Sequence, residues 1–251
     1  MKRYFLELAY HGKNYHGWQR QPNAVSIQET IEKRMSLILG EEIHLTTAGR
    51  TDAGVHAIQT YAHFDLIQPL EIENFKKRIN SFLPWDISVK NIFDVPEKAH
   101  ARYDARERTY IYQIIFEKNP FLYDFAWRFQ GELDVEAMNE AAEILLGYND
   151  FTSFSKVKTD VKHFLCDIKE AEWQKTDDKL VFKITANRFL RNMVRSIVGT
   201  LVEIGEGKRS PQEMHEIIIA KDRNAAGPSA PAKGLFLASV IYKPEVQSYL
   251  K

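Results

Sequence analysis

Apolar and polar residues alternate from Arg3 to Tyr10, with Tyr4, Leu6, Leu8 and Tyr10 on one face. That period of two predicts a β-strand. From Ser26 the period changes: Ile27, Ile31, Met35 and Ile38 recur at helical spacing. Ser26-Ile27-Gln28-Glu29 is a capping box, in which the Ser oxygen and the Glu carboxylate satisfy orphan amides of the first turn. Gly40 supplies the stop. Glu42–Thr47 and Ala57–Leu66 predict two further strands, and Ile72, Phe75, Ile79 and Phe82 a second helix ended by Pro84. Ile87–Val95 predicts a strand. The order to this point is β-α-β-β-α-β.

The second half repeats that order without repeating the sequence. Arg108–Phe116 places Tyr110, Tyr112, Ile114 and Phe116 on one strand face. Asp134 caps a helix carrying Met138, Ala141 and Leu145, stopped by Gly147. Ile168–Lys175 and Leu180–Ala186 flank the polar turn Thr176-Asp177-Asp178-Lys179, a hairpin signal. Phe189–Glu203 reads as a strongly apolar helix, and Ser210-Pro211-Gln212-Glu213 as a second capping box opening a short helix to Ala220. A Gly/Pro/Ala loop, Asn224–Gly234, leads to a last strand, Leu235–Tyr242. The expectation is an α+β protein of two ferredoxin-like, RNA-recognition-like βαββαβ halves with largely antiparallel sheets. The boundary falls in Glu97–Arg106, giving halves 1–102 and 103–251.

Composition narrows the class. Of 251 residues, 44% are hydrophobic, enough to fill a core and to exclude a disordered chain. Lys and Arg number 34, as do Asp and Glu, so a globally basic nucleic-acid binder is not indicated, while a local basic surface is still open. The single cysteine, Cys166, excludes an internal disulfide and Cys-rich zinc sites and fits a reducing compartment. The alternating start has no apolar h-region, and no apolar run approaches the ~20 residues of a membrane span. A cytoplasmic protein without membrane contact is expected.

The most chemically loaded segment is Ala48-Gly49-Arg50-Thr51-Asp52-Ala53-Gly54-Val55-His56-Ala57, between two predicted strands. Two glycines bracket Arg-Thr-Asp, so the backbone can turn tightly and approach a ligand. Asp52 is presented beside a cation, which favours the ionised form that a nucleophile or base needs. The bland alternative is a turn aspartate bonded to its own backbone. Arg188, Arg191 and Arg195 stand at i, i+3 and i+7 on, or at the start of, the Phe189–Glu203 helix. Among apolar neighbours, a half-buried Arg195 needs an acceptor, which any nearby carboxylate or a substrate could supply.

Basic and aromatic residues interleave from His100 to Tyr112. Tyr110 and Tyr112 could form a stacking platform with arginines reaching phosphates, or they could be core packing. The Gly-punctuated loop Tyr10–Arg20 specifies nothing by itself. Phosphate-loop, dinucleotide and HExxH patterns are absent, and so is a nucleophile elbow. What is left is carboxylate chemistry without metal or cofactor.

On these residues the chain resembles the tRNA pseudouridine synthase A family over nearly its whole length. Gly49–Ala57 resembles the family's catalytic loop. Supporting matches are Tyr15–Gln21, His100–Tyr103, Gly147–Phe154, Met193–Gly199 and Lys221-Asp222-Arg223. His11 and Ala99 depart from the family pattern, which commonly has Asp and Phe there. The resemblance implies the pseudouridine synthase fold and an isomerase converting uridines 38, 39 and 40 of the tRNA anticodon stem-loop to pseudouridine. It also implies a homodimer that needs neither metal nor cofactor. By the same resemblance Asp52 is the essential aspartate and Arg195 the arginine paired with it. Tyr110 is the tyrosine that packs on the uracil, and Arg50 helps open the stem or holds the everted nucleotide. Attack at C1′, attack at C6 and proton removal at C2′ stay open for Asp52. One rival is a non-catalytic RNA binder, weakened by the lack of an RNP1 string. Another is a glycoside hydrolase, weakened by the single carboxylate in the loop.

Overall fold

A computed structural model describes residues 1–156, 163–176 and 178–251. In chain order the elements are β1 (Lys2–Tyr10), α1 (Ile27–Leu39), β2 (Thr46–Thr47), β3 (His56–Leu66), α2 (Ile72–Phe82) and β4 (Ile87–Val95). There follow β5 (Ala105–Ile115), β6 (Trp127–Arg128), α3 (Val135–Ile144), β7 (Ile168–Lys175) and β8 (Leu180–Ala186). Last come α4 (Met193–Gly205), α5 (Glu213–Ala220), β9 (Leu235–Tyr242) and α6 (Pro244–Gln247). The chain forms two compact units, Met1–Glu107 with Phe236–Lys251, and Arg108–Leu235. It is a mixed α and β protein whose strands pair mostly antiparallel. Among the described residues no helix is long and apolar enough to cross a membrane.

In the first unit β1 pairs antiparallel with both β3 and β4. β3 also pairs with β2, and in parallel with β9 at His56↔Phe236 and Ala57↔Leu237. The expected apolar face of β1 is buried, and Phe5 on the opposite face is buried as well, edge-on to Tyr242. The Ser26 hydroxyl caps α1 by accepting the Glu29 N–H at 3.2 Å. The Glu29 carboxylate pairs with Lys33 at 2.8 Å instead of closing the capping box. Gly40, left-handed at φ 74°, ends the helix.

The strand expected over Glu42–Thr47 shrinks to β2. Its first residues are captured by side chains of α1: Ile43 N–H donates to Ser36 Oγ at 3.0 Å, and Leu45 N–H to the Glu32 carboxylate at 2.8 Å. A backbone N–H bonded to a helix side chain is lost to a ladder. The expected second half ran to residue 251, but Phe236–Lys251 clusters with the first unit. β9 bonds to β3 there, and the Tyr242 hydroxyl donates to the Ala101 carbonyl at 2.9 Å.

In the second unit β8 pairs antiparallel with β5 and β7, and β6 lies parallel to β5. β7 and β8 have the expected bounds, and Thr176 N–H donates to the Lys179 carbonyl at 2.8 Å across their turn. Asp177 of that turn lies outside the described residues. Asp134 caps α3 through the Glu136 and Ala137 amides. The α4 helix starts at Met193, four residues later than expected, because Asn192 is left-handed at φ 66°. Arg188 and Arg191 therefore precede the helix, and the expected stripe of three arginines on one helical face does not form. α5 also starts late, at Glu213, whose carboxylate accepts the Ser210 N–H at 2.6 Å.

Candidate active site

The loop carrying Asp52 is fixed at both ends by hydrogen bonds, most of them to main-chain groups. Ala48 N–H donates to the Tyr61 carbonyl at 2.8 Å, and the Thr47 hydroxyl to the Gly49 carbonyl at 3.1 Å. Thr51 is buried, its carbonyl accepts the Trp18 N–H at 3.1 Å, and its hydroxyl bonds the Tyr10 hydroxyl at 2.8 Å. Beyond Asp52, Val55 N–H returns to the Asp52 carbonyl at 3.1 Å, and Gly54 N–H donates to the Tyr15 carbonyl at 3.3 Å. Asp52 itself is half-buried. Its carboxylate is thus presented from a backbone tied on either side, which lowers the cost of holding it in one place.

The Tyr10–Arg20 loop, uninformative by itself in the sequence, supplies much of that restraint. Gly17 has φ +89°, and a Cβ there would stand 2.5 Å from the Thr51 carbonyl oxygen. Only a glycine lets the two loops approach this closely in that conformation. Trp18 is fully buried, and the Gly17 and Trp18 carbonyls accept the Ile27 and Gln28 amides at the start of α1. The recurring Gly and Trp between polar residues were the available signal. His56 ends the Asp52 loop, stacks between His11 (4.6 Å) and Phe236 (4.7 Å), and accepts the Gly12 N–H on Nδ1 at 3.0 Å. It is a packing residue with a defined acceptor.

Arg50 is exposed two residues before Asp52. Lost hydration, and then the nearby Arg102 guanidinium, push its pKa below the ordinary arginine value. Within its unit Arg50 makes no ion pair or hydrogen bond among the described residues.

Tyr110 and Arg195 belong to the second unit. Tyr110 sits on β5 opposite Ile184, with Phe189 edge-on at 5.1 Å. Its face-mate Tyr112 is fully buried and donates its hydroxyl to the Pro231 carbonyl at 2.8 Å, so it offers no stacking surface. Burial raises the Tyr112 pKa against a smaller lowering by Arg195. Arg195 is half-buried in the first turn of α4. Its Nε donates to the Ala230 carbonyl at 2.7 Å, and Ala230 N–H donates back to the Arg195 carbonyl at 2.9 Å. Among the described residues of its own unit the Nη groups make no hydrogen bond, which leaves the planar fork for an acceptor.

The loop that orients Arg195 is pinned in turn. Gly227 N–H donates to Thr200 Oγ1 at 2.9 Å, and Asn192 Nδ2 to Ser229 Oγ at 2.6 Å. Two motifs distant in sequence also meet, since Lys221 pairs with Asp150 at 2.7 Å. Burial raises the Asp150 pKa, but the Lys221 and Thr152 bonds outweigh it and hold the carboxyl below its usual range. Cys166 is buried and its thiol is pushed up to about 11, so it is protonated and not a nucleophile at neutral pH. Among the described residues no three His, Cys, Asp or Glu side chains are grouped to hold a metal ion.

Comparison with known proteins agrees in one direction. A family model described as tRNA pseudouridine synthase matches residues 8–104 and 141–243. The match includes the Asp52 loop and Arg195, while Tyr110 lies between the matched spans. The tRNA pseudouridine synthase A of Bacteroides thetaiotaomicron is 49% identical over 251 residues, covering 99% of this chain and 93% of the relative. That of Parabacteroides distasonis is 47% identical over 247 residues, covering 98% of each. That of Caldicellulosiruptor bescii is 39% identical over 244 residues, covering 96% of this chain and all of the relative. With its loop geometry, its two matched spans and full-length relatives of this kind, the chain belongs to the tRNA pseudouridine synthase family.

Proposed function

We propose that this protein isomerises uridine to pseudouridine at positions 38, 39 and 40 of the tRNA anticodon stem-loop. The observation that carries the reading is the Asp52 loop, which holds one carboxylate on a backbone pinned by Trp18, Tyr15 and Val55. The reaction breaks N1–C1′ and forms C5–C1′. N1 gains a proton and C5 loses one, so atoms and electrons balance without a metal, a redox cofactor or a co-substrate. Attack at C1′, attack at C6 and C2′ proton removal all begin from the same carboxylate, and Asp52 is that group.

The first unit carries the Asp52 loop and the second carries Tyr110 and Arg195. We assign Arg195 as the cation serving the Asp52 carboxylate, on the strength of a guanidinium oriented through Nε alone. Tyr110 packs on the everted uracil, and Arg50 holds the site open against restacking, which costs a few kcal/mol. Each unit is read as a ferredoxin-like half. Support comes from the order β1-α1-β2-β3-α2-β4 and from the pairing of β1 with β3 and β4 and of β2 with β3. The working enzyme is a cytoplasmic homodimer, for which sedimentation at twice the 29.2 kDa chain mass is the test.

Incubating an unmodified tRNA transcript with the protein and analysing its nucleosides tests the activity. Pseudouridine without released uracil is expected. Free uracil would mean glycoside hydrolysis, and an unchanged transcript a binding protein.

Two substitutions probe the parts. Tyr110→Phe keeps the ring and removes the hydroxyl. If the hydroxyl takes the C5 proton, single-turnover rates fall roughly 10²–10⁴-fold with tRNA affinity kept. Full activity confines the residue to stacking. Gly17→Ala forces the new Cβ against Thr51 and demands a left-handed alanine. A stability loss of about 1–3 kcal/mol is expected. The rate measured on the folded fraction should also fall, because Asp52 moves with Thr51.

A further inference from the structure

The loop 225–231 has few means of holding itself. Pro228 and Pro231 carry no N–H, and none of its residues belongs to a strand. Ala226 and Ala230 are nonetheless buried, and a buried carbonyl without a donor is costly. Side chains from elsewhere in the second unit supply the donors. Arg209 Nη1 donates to the Ala225 carbonyl at 3.0 Å, and Arg223 Nη1 to the Ala226 carbonyl at 3.2 Å. Arg195 Nε donates to the Ala230 carbonyl at 2.7 Å, and the Tyr112 hydroxyl to the Pro231 carbonyl at 2.8 Å. Arg223 is half-buried and makes a second bond to the loop, from Nη2 to Ser229 Oγ at 3.2 Å. That same oxygen accepts Asn192 Nδ2 at 2.6 Å.

These bonds converge on Arg195. Ser229 stands immediately before Ala230, the residue that accepts from the Arg195 guanidinium. Asn192 is the left-handed residue at the start of α4, just ahead of Arg195. The Ser229 hydroxyl therefore ties the head of α4 to the loop, and two accepted N–H groups fill its acceptor capacity. Arg209 is anchored differently, because its Nε pairs with Glu203 at 2.8 Å and it serves the far end of the loop. Arg223 divides one planar group between Ala226 and Ser229. A guanidinium holds two acceptors at a set separation, which an ammonium does not. Arg223 closes the Lys221-Asp222-Arg223 segment, and the site already described gives it no task.

We propose that Arg223 is a positioning residue for the reaction: it fixes Ala226 and Ser229 so that the Ala230 carbonyl presents the Arg195 guanidinium in one orientation. The inference rests on the assignment of Arg195 to the Asp52 carboxylate and adds the group that aims it. Arg223 touches no reacting atom and acts through Arg195. A fork that must meet a carboxylate in plane loses more from a tilt than a point charge does. A loop free to shift by about an ångström therefore lowers the rate even when every charge is kept.

Two conservative variants separate aim from charge. Arg223→Lys keeps the cation but reaches only one of the two acceptors, and Ser229→Ala removes no charge at all. Each should lower kcat roughly 10–100-fold on the folded fraction, taken from a urea midpoint, while KM and the tRNA Kd hold. In an Arg195→Lys background no fork is left to aim, so Arg223→Lys should change the rate by no more than about twofold. A second measurement needs no RNA: the NMR signal of Arg195 Nε–H, assigned by its loss in Arg195→Lys. Its exchange with solvent should quicken roughly tenfold in Arg223→Lys and in Ser229→Ala, as the bond to Ala230 loosens. An equal fold loss in both backgrounds makes Arg223 a structural residue and overturns the proposal, as does unchanged exchange of the Nε–H. Wild-type turnover in Arg195→Lys overturns the parent assignment instead, and the exchange rate still decides whether Arg223 aims that side chain.

Discussion

Asp52→Asn yields a folded, tRNA-binding protein that forms pseudouridine slower by roughly 10⁴-fold or more. Asparagine matches aspartate in shape, and three bonds that hold the loop run between main-chain groups: Trp18 to Thr51, Val55 to Asp52, Gly54 to Tyr15. These three bonds do not involve the carboxylate and persist in the variant. What disappears is the negative oxygen, and a neutral amide neither attacks nor takes a proton. The half-buried position keeps the stability change small, within about 1 kcal/mol. Single-turnover rates on saturating transcript, alongside Kd and a urea midpoint, separate these effects. Appreciable turnover in the variant removes Asp52 from the reaction, and a collapse of Kd or of the midpoint makes it a structural residue.

Gly199→Ala destabilises the protein by about 2–4 kcal/mol, although alanine normally improves a helix interior by about 1 kcal/mol. The steric cost wins because the new Cβ would overlap the Pro228 carbonyl and stand 3.3 Å from the Ala230 nitrogen. Neither partner is a flexible side chain that can swing away. The 226–231 loop would have to lift from α4. That stretches the bonds between Ala230 and Arg195 and the bond from Gly227 to Thr200. Because Ala230 orients the Arg195 guanidinium, the rate falls further than the loss of folded protein explains. Urea denaturation, with turnover corrected to the folded fraction, measures both. A variant as stable as the parent shows that the loop does not approach the helix this closely.

Much of the fold is legible where the cause is local. The bounds of β4, β7, β8 and β9 follow from alternation closed by polar or Gly/Pro segments. Ser26 and Asp134 announce helices because a short oxygen side chain satisfies amides two or three residues ahead. The misses have distant or backbone causes. Residues 42–45 look like strand, and they lose that pairing to Ser36 and Glu32, side chains presented by a helix. The Arg188–Arg195 stripe fails on one left-handed asparagine, a conformation that polarity patterns do not encode. The Asp52 loop stood out by its glycines and charge. Its main supports, Gly17 and Trp18, sit more than thirty residues earlier in a segment with no period to read.

Residue type and short spacing were enough for the alternating α and β order, for the lack of an internal disulfide, and for marking the Asp52 loop, the arginines up to Arg195 and the Tyr110 strand as candidate chemistry, while the roles of Asp52, Arg50, Tyr110 and Arg195 came from the family resemblance. Only the folded chain shows that Tyr112 is core while Tyr110 borders Phe189, that Ala230 aims Arg195, and that the last strand joins the first unit. Those outcomes turn on which partner wins among groups far apart in the chain. No local pattern carries that competition, because its energy exists only once the segments have come together.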